Sequence, residues 1–252
     1  TKDIAAGAEA LSGNWEDAYF CTLARNYGFG TNSEAMEQWS RIVNLQAAAH
    51  HRDDLFQVQA IFLGQAGLLT IEGSRKPKLA GIDPQLVERL RAEYKYLSHK
   101  FGLQEISSSL WVFRTRPQNA PHHRLMQLAQ LYSERRTSLR ELIECKEVSE
   151  VAKLYDIKGN KLNLLLINTV VPMLFAYGRH VDKQALCDRA FDLLESLPAE
   201  DNTIVRMWQQ CGFDVETAGD SQALIQLKRE YCDRRNCLRC RIGFEYLKRS
   251  EI

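Results

Sequence analysis

Cysteines near the C-terminus are the residues of this chain best suited to chemistry beyond packing. Cys232, Cys237 and Cys240 have the spacing C-x4-C-x2-C, and Cys211 precedes them across a predicted loop. Thiolates at such spacing bind zinc tetrahedrally or hold an iron–sulfur cluster. The sequence therefore predicts a closed, structural metal–thiolate site. Its ligands are Cys211, Cys232, Cys237 and Cys240, with zinc as the first choice of cofactor and an iron–sulfur cluster as the alternative.

Basic side chains surround these cysteines. Between Lys228 and Arg249 there are eight basic residues and three acidic ones. Positive neighbours lower the pKa of a thiol, and they offset the excess negative charge of a metal–thiolate centre. Two other interpretations stay open, namely free thiols at helix ends and a redox-active C-x-x-C pair. The redox interpretation is weakened because the strand that precedes such a pair in thioredoxin-like units is missing.

A second polar group lies in the segment FRTRPQNAPHHR. Pro121 can open the helix that follows, and guanidinium groups beside a helix N-terminus suit a phosphate or a carboxylate. The sequence predicts an anion site here, beside His122 and His123. The candidate ligands are Arg114, Arg116, Asn119 and Arg124. The alternative is a solvated loop whose arginines pair with local carboxylates.

Composition limits the class of protein. Lys and Arg number 33 against 32 Asp and Glu, so a net charge of +1 gives no general argument for nucleic acid or for an anionic membrane. Seven cysteines, an odd count in a chain of 252 residues, indicate reduced thiols and a cytoplasmic protein. The start, TKDIAAGAEALSG, has neither the basic nor the apolar part of a signal peptide, although the chain does not begin with Met.

Apolar periodicity predicts an all-α fold, an irregular multi-helix domain with a C-terminal cysteine cluster. Asp83-Pro84 marks a helix start, and Gly64 and Gly67 indicate close approach of a neighbouring helix or an early end. The run Leu164 to Ala176 is shorter than the roughly 20 residues of a membrane span. We expect a buried helix that bends at Pro172, with a buried strand up to Val171 as the alternative. The segment SLWVFRT is the best strand candidate.

A soft boundary falls at YDIKGN. It predicts an N-terminal helical subdomain, 1–156, and a C-terminal helical subdomain with the cysteine cluster, 157–252, packed as one unit. No Walker loop, G-x-S-x-G or H-E-x-x-H motif occurs. The sequence thus offers no catalytic constellation.

Several long strings resemble one bacterial family. They are NWEDAYFCTLARNYGFGTNSEAMEQW, DDLFQVQAIFLGQAGLL, LWVFRTRPQNAPHHRLMQLAQLY, INTVVPMLFAYG and DSQALIQLKREYCDRRNCLRCRIGFEYLKR. The family is domain-of-unknown-function family 2851, best known from Bacteroides-type bacteria. The resemblance implies a mostly helical C-terminal part of a longer protein, whose N-terminal region carries acidic motifs reminiscent of metal-dependent nucleases. Members resembling it have a longer segment before the INTVVP helix, so the connection at Asp156 to Ile157 departs from the family's pattern.

These observations favour a non-catalytic accessory domain that supports its own N-terminal region, with nucleic acid as a partner and no membrane. One alternative is an enzyme domain that acts on a phosphorylated or nucleic-acid substrate through the arginine loop. The other is an iron–sulfur or redox module at the cysteines.

Overall fold

Helices form nearly all the regular structure in the part of the chain that the computed structural model describes, which is residues 2–10, 13–69, 79–114, 119–155 and 157–249. An isolated β-bridge joins Pro198 to Thr217. Contacts divide the chain into two units, Thr1–Leu186 and Cys187–Ile252. Sequence analysis places the subdomain boundary earlier, after Asp156, and that boundary remains a prediction.

The first unit is built from the helices α1 Lys2–Ala10, α2 Trp15–Tyr27, α3 Ser33–Ile42, α4 Leu45–His50, α5 Leu55–Gln65, α6 Pro84–Phe101, α7 Pro121–Ser133, α8 Leu139–Glu144, α9 Val148–Lys153, α10 Asn160–Leu165 and α11 Val171–His180. α12 Gln184–Ser196 begins at the end of this unit. The second unit holds α13 Thr203–Gln210, α14 Ala218–Leu227 and α15 Arg241–Arg249. The all-α prediction is confirmed.

Side-chain caps start several of these helices. Asn14 accepts hydrogen bonds from the backbone at the start of α2, Asp54 does so for α5, and Asp83 for α6, where Pro84 occupies the first turn. Such caps satisfy backbone N–H groups that have no partner inside the helix. The predicted start at Asp83-Pro84 is therefore confirmed.

Aromatic side chains fill the core of the first unit. The Trp39 and Phe62 rings lie 5.0 Å apart, and Tyr132 of α7 lies 5.6 Å from Phe62. The Trp39 indole Nε1 donates to the Phe62 carbonyl at 3.1 Å, so this buried polar atom has a partner. These contacts join α3, α5 and α7, and α7 begins at the predicted anion site.

Helices α5 and α6 approach each other closely at Gly64. A Cβ atom added there would overlap the Tyr94 ring, and α5 ends one residue later. Gly67 has φ +68°, and an added Cβ would overlap the Ile106 carbonyl. Both expectations for this pair of glycines, a close neighbour and an early helix end, are confirmed.

Residues 160–180 form a continuous helix with a π-helical turn, Leu166–Val170, between α10 and α11. Pro172 has no N–H to donate to the Asn168 carbonyl, and the Asn26 side-chain amide donates there at 3.1 Å instead. The predicted helix is confirmed, and the alternative of a strand is wrong. This segment of 21 residues is long and apolar enough to cross a membrane, but 56% of its apolar 18-residue stretch is buried within the protein, as in a core helix.

A capping box and a hydrogen bond from an indole position the helices of the second unit. Thr217 and Asp220 form a capping box that starts α14. The Trp208 indole Nε1 donates to the Leu224 carbonyl at 3.2 Å, which joins α13 to α14. After α14 the helix continues as a second π-helical turn, Lys228–Cys232, followed by a short 3-10 turn, Cys237–Arg239.

The strand predicted for SLWVFRT is wrong for its described part, residues 109–114. Ser108–Leu110 form a 3-10 turn, and the chain is extended after it without a partner strand. Asn32 stands at the N-cap position of α3, but its side chain makes no cap. Asn32 Oδ1 accepts from the Val112 N–H at 2.8 Å, and its Nδ2 donates to the Val112 carbonyl at 3.1 Å. This buried amide therefore fixes the segment that leads to the anion loop.

Candidate functional site

Arg124 lies at the start of α7 and is buried, with 6% of its surface exposed. Side chains in a helix lean toward its N-terminus, which brings this guanidinium back to Asn119, just before the helix. Arg124 Nη2 donates to Asn119 Oδ1 at 2.8 Å, and Nη1 donates to Gln127 Oε1 at 2.8 Å. Among the described residues, its Nε has no hydrogen-bond partner.

No carboxylate contacts this guanidinium among the described residues, since both of its side-chain partners are neutral amides. Burial lowers the pKa of Arg124 below its ordinary value. A buried charge without a counter-ion is unfavourable by several kcal/mol. The centre is therefore electrostatically incomplete, and an anion would complete it.

The Phe29 ring makes cation–π contacts with two side chains. The Arg124 guanidinium lies 4.8 Å from the ring centroid, and the Lys161 ammonium lies 5.3 Å from it. Lys161 also donates to Asn119 Oδ1. Cation–π contact recovers only about 0.5–2 kcal/mol, which is less than the penalty of burying a lone charge. Phe29 has φ +45°, so its backbone lies in the left-handed region that favours glycine.

The N-terminus of α7 adds positive potential. Ala120, the N-cap residue, supplies no side-chain acceptor. The His122 ring has Nε2 2.9 Å from the Ala80 carbonyl, an arrangement in which Nε2 donates and the Nδ1 lone pair has no partner in the described part of the chain. Burial is the main cause that lowers the pKa of His122, so the neutral ring is favoured. An uncapped helix start beside Arg124 is suited to an anion.

The four predicted anion residues are only partly brought together. Arg124 and Asn119 are hydrogen-bonded, Arg114 is exposed, and Arg116 lies outside the described residues. Sequence reasoning missed Phe29 and Lys161. The isolated aromatic residue in Gly28-Phe29-Gly30 was the available signal for Phe29, whereas nothing local marks Lys161, which lies 42 positions from Asn119.

The C-terminal cysteines do not form a metal centre in the described residues. Cys211, Cys232 and Cys237 are exposed thiols, and Cys240 is buried at 7% exposure. Within the described residues, no group of three or more His, Cys, Asp or Glu side chains is arranged to hold a metal ion. The backbone nevertheless turns tightly, because the Cys240 N–H donates to the Cys237 carbonyl at 3.2 Å. Convergence of the four predicted ligands remains a prediction.

The electrostatics of Cys232 differ from the expectation of a lowered pKa. Partial burial raises the pKa of the Cys232 thiol, the neighbouring Cys240 and Cys237 add to the rise, and Lys228 opposes it. Lys228 is paired with Asp233 at 2.5 Å. Asp233 thus offsets part of the positive charge of the basic segment, and the neighbouring thiols raise the pKa of Cys232 further.

A separate open cavity of about 420 Å³ lies in the first unit among α2, α8 and the end of α11. Trp15 lines it, 5.4 Å from the Tyr177 ring and 4.9 Å from the His180 ring. Its acids are already engaged. Glu16 accepts from the Leu139 and Arg140 N–H groups at the start of α8, and Glu144 pairs with Arg140 at 2.9 Å.

Comparison with known proteins identifies a family. No curated protein and no solved structure matches the chain. One family profile matches it in two segments, residues 1–161 and residues 157–203. The two segments overlap at residues 157–161. Because these segments cover most of the chain, the protein belongs to the family described as Protein of unknown function (DUF2851).

Proposed function

We propose that this chain is a non-catalytic helical binding domain that contacts nucleic acid through a phosphate site centred on Arg124. The observation that carries the proposal is Arg124, a residue 6% exposed whose guanidinium contacts two neutral amides and whose Nε has no partner among the described residues. A phosphate oxygen accepts strong, charge-assisted hydrogen bonds from such a group. In this proposal the domain is cytoplasmic and supports the action of an N-terminal region of the same protein.

The Arg124→Met variant separates a binding role from a structural one. Methionine keeps an unbranched side chain against the Phe29 ring but removes the charge. If Arg124 awaits a ligand, the variant is as stable as the wild type or more stable in phosphate-free buffer, because an uncompensated buried charge has gone. If Arg124 is structural, the variant is less stable, since its hydrogen bonds to Asn119 and Gln127 are lost.

Thermal unfolding with inorganic phosphate then tests binding. At constant ionic strength, phosphate is expected to raise the Tm of the wild type and not that of Arg124→Met, because a ligand that binds only the folded state stabilises it. Arg41→Met is the matched control, since Arg41 is an exposed arginine paired with Glu37 at 2.7 Å. An equal response of all three proteins to phosphate would contradict the proposal.

The first alternative is an enzyme domain that acts on a phosphorylated or nucleic-acid substrate at the same site. The feature that favours it is the buried, neutral His122 ring in the first turn of α7, because a neutral imidazole can act as a base. Release of phosphate or cleavage of an oligonucleotide by the wild type, lost in His122→Gln, would support catalysis. Binding without turnover supports the accessory domain.

The second alternative concerns the cysteines, for which we propose a structural zinc–thiolate site. Burial of Cys240 and the proximity of Cys232 and Cys237 support it. Metal analysis of purified protein is expected to give one zinc per chain and no visible absorption, whereas iron with a visible spectrum indicates an iron–sulfur or redox module. Cys211→Ser distinguishes four ligands from three, and Cys21→Ser, a change at a thiol outside the cluster, is its control.

A further inference from the structure

Access to Arg124 limits which phosphate can reach it. With 6% of the residue exposed, a ligand can meet Arg124 over only a small area, which is too small for an extended chain to lie across. An internal phosphodiester carries a sugar on both sides. A terminal phosphate has three free oxygens and up to two negative charges, so it can enter end-on. The burial of Arg124 therefore favours a terminal phosphate over an internal one.

An exposed apolar segment is linked to this site through Asn32. Leu110, Val112 and Phe113 are 39%, 43% and 38% exposed, although all three are large and apolar. Val112 is fixed by both of its hydrogen bonds to the Asn32 side chain. Asn32 in turn follows Phe29 by three residues, and the Asn32 N–H donates to the Gly28 carbonyl at 3.3 Å. Phe113 is thus connected to the Phe29 ring, which contacts Arg124, through the two hydrogen bonds between Val112 and Asn32 and the turn from Phe29 to Asn32.

A cation for phosphate beside an exposed aromatic ring is the combination that binds single-stranded nucleic acid. Unpaired bases stack on aromatic side chains, whereas the bases of a duplex are already stacked on each other. Arg114, exposed next to Phe113, adds positive charge for the following phosphate. A free phosphate ion would make no use of Phe113, and the adjacent apolar surface argues for a ligand with a planar, apolar face.

We propose that the Arg124 site holds the terminal phosphate of a single-stranded nucleic acid whose end base stacks on Phe113. The inference rests on the proposed phosphate site. It adds that the bound phosphate lies at the end of a strand and that the strand is single. Phosphate positions the strand, and the ring selects an unpaired base without reading its sequence.

Fluorescence anisotropy with thymidine oligonucleotides about ten nucleotides long tests the proposal. The strands carry a phosphate at the 5′ end, at the 3′ end or at neither, with the dye at the other end, and each is also used as a duplex. We expect one phosphorylated single strand to bind at least about tenfold more tightly than the unphosphorylated strand. The duplex form is expected to bind more weakly than that strand.

Three variants test which side chains cause the binding preference. Arg124→Met is expected to abolish the preference for the phosphorylated strand, and Arg124→Lys to retain part of it, because lysine keeps the charge without the fork. Phe113→Ala is expected to weaken binding of the phosphorylated strand by about fivefold to a hundredfold through lost stacking. Tyr96→Ala, at a ring that is 59% exposed on α6, is the control and leaves binding unchanged.

The outcomes separate the two proposals. If Arg124→Met binds every strand as the wild type does, the phosphate site itself is refuted. If Arg124→Met weakens binding but phosphorylated and unphosphorylated strands bind equally, the phosphate site stands and the terminal assignment is refuted. Unchanged binding by Phe113→Ala refutes base stacking. Stronger competition by a phosphoserine peptide than by the phosphorylated strand refutes nucleic acid as the ligand.

Discussion

The hydroxyl oxygen of Tyr19 lies 2.5 Å from that of Tyr155, and both side chains are buried. The pair joins α2 to the segment after α9, and one hydroxyl donates to the other. Burial raises the pKa of both phenols. The two rings therefore form a neutral polar contact in an apolar core, and that contact can be tested by removing its members one at a time.

Removing one of these hydroxyls is expected to destabilise the protein more than removing both. Tyr19→Phe or Tyr155→Phe leaves a buried hydroxyl without its partner, which lowers the free energy of unfolding by about 1–3 kcal/mol. The double variant is expected to lose less than the sum of the two single variants. Urea unfolding measures each value, and Tyr96→Phe, at an exposed ring, serves as the control. Strict additivity would contradict a direct contact.

Asn26 and Pro172 are expected to be coupled energetically. Asn26→Ala leaves the Asn168 carbonyl and the Thr169 hydroxyl without the amide donor, for a loss of about 1–3 kcal/mol. Pro172→Ala restores a backbone N–H that can reach Asn168. The loss from Asn26→Ala is therefore expected to be smaller in the Pro172→Ala background, as measured by a double-mutant cycle in urea. Equal losses in both backgrounds would show that Asn26 does not replace the missing donor.

Two glycine-to-alanine substitutions are expected to change the free energy of unfolding in opposite directions. Gly64→Ala forces a methyl group against the Tyr94 ring and lowers the free energy of unfolding by about 1–3 kcal/mol. Gly7→Ala in α1 meets nothing within 4 Å and is expected to raise it by about 0.5–1 kcal/mol through helix propensity. Thermal unfolding of the two variants compares them directly. Destabilisation by both would mean that space at Gly64 is not the cause.

Stability is expected to fall in mildly acidic solution because of His122. Burial lowers the pKa of this ring in the folded state below its unfolded value of 6.5, so the unfolded state binds more protons in the window just below pH 6.5. The free energy of unfolding therefore decreases as pH falls through that window. His122→Gln, which can still donate to the Ala80 carbonyl, is expected to reduce this slope in urea titrations. His99→Gln, at an exposed histidine, is expected to leave it unchanged.

The elements of the fold were largely predictable because their signals are local. Asp83-Pro84 caps α6, Pro121 begins α7, and Gly64 marks a close helix contact, each through the chemistry of one or two residues. The segment 109–114 was harder to predict. Its β-branched and aromatic residues favour a strand, but a strand needs a partner, and Asn32 takes the hydrogen bonds of Val112 instead.

The candidate site was predictable only in part because its remaining members are distant in sequence. Arg124 and Asn119 lie five positions apart, so the spacing itself brings them near one helix end. Phe29 and Lys161 reach the same place only through packing, and no periodicity encodes that. Burial of Arg124 beside neutral amides was also invisible in the sequence, where pairing with local carboxylates was the open alternative.

The π-helical turn at Lys228–Cys232 has a consequence for the cysteines. Such a turn accommodates one residue more than an α-helical turn, and each residue of a helix rotates the next side chain by about 100°. The direction in which Cys232 faces is therefore set by the number of residues before it and not by their identity. Deleting one residue from Lys228–Tyr231 would leave every thiol and the C-x4-C-x2-C spacing in place while rotating Cys232, Cys237 and Cys240 together relative to α14.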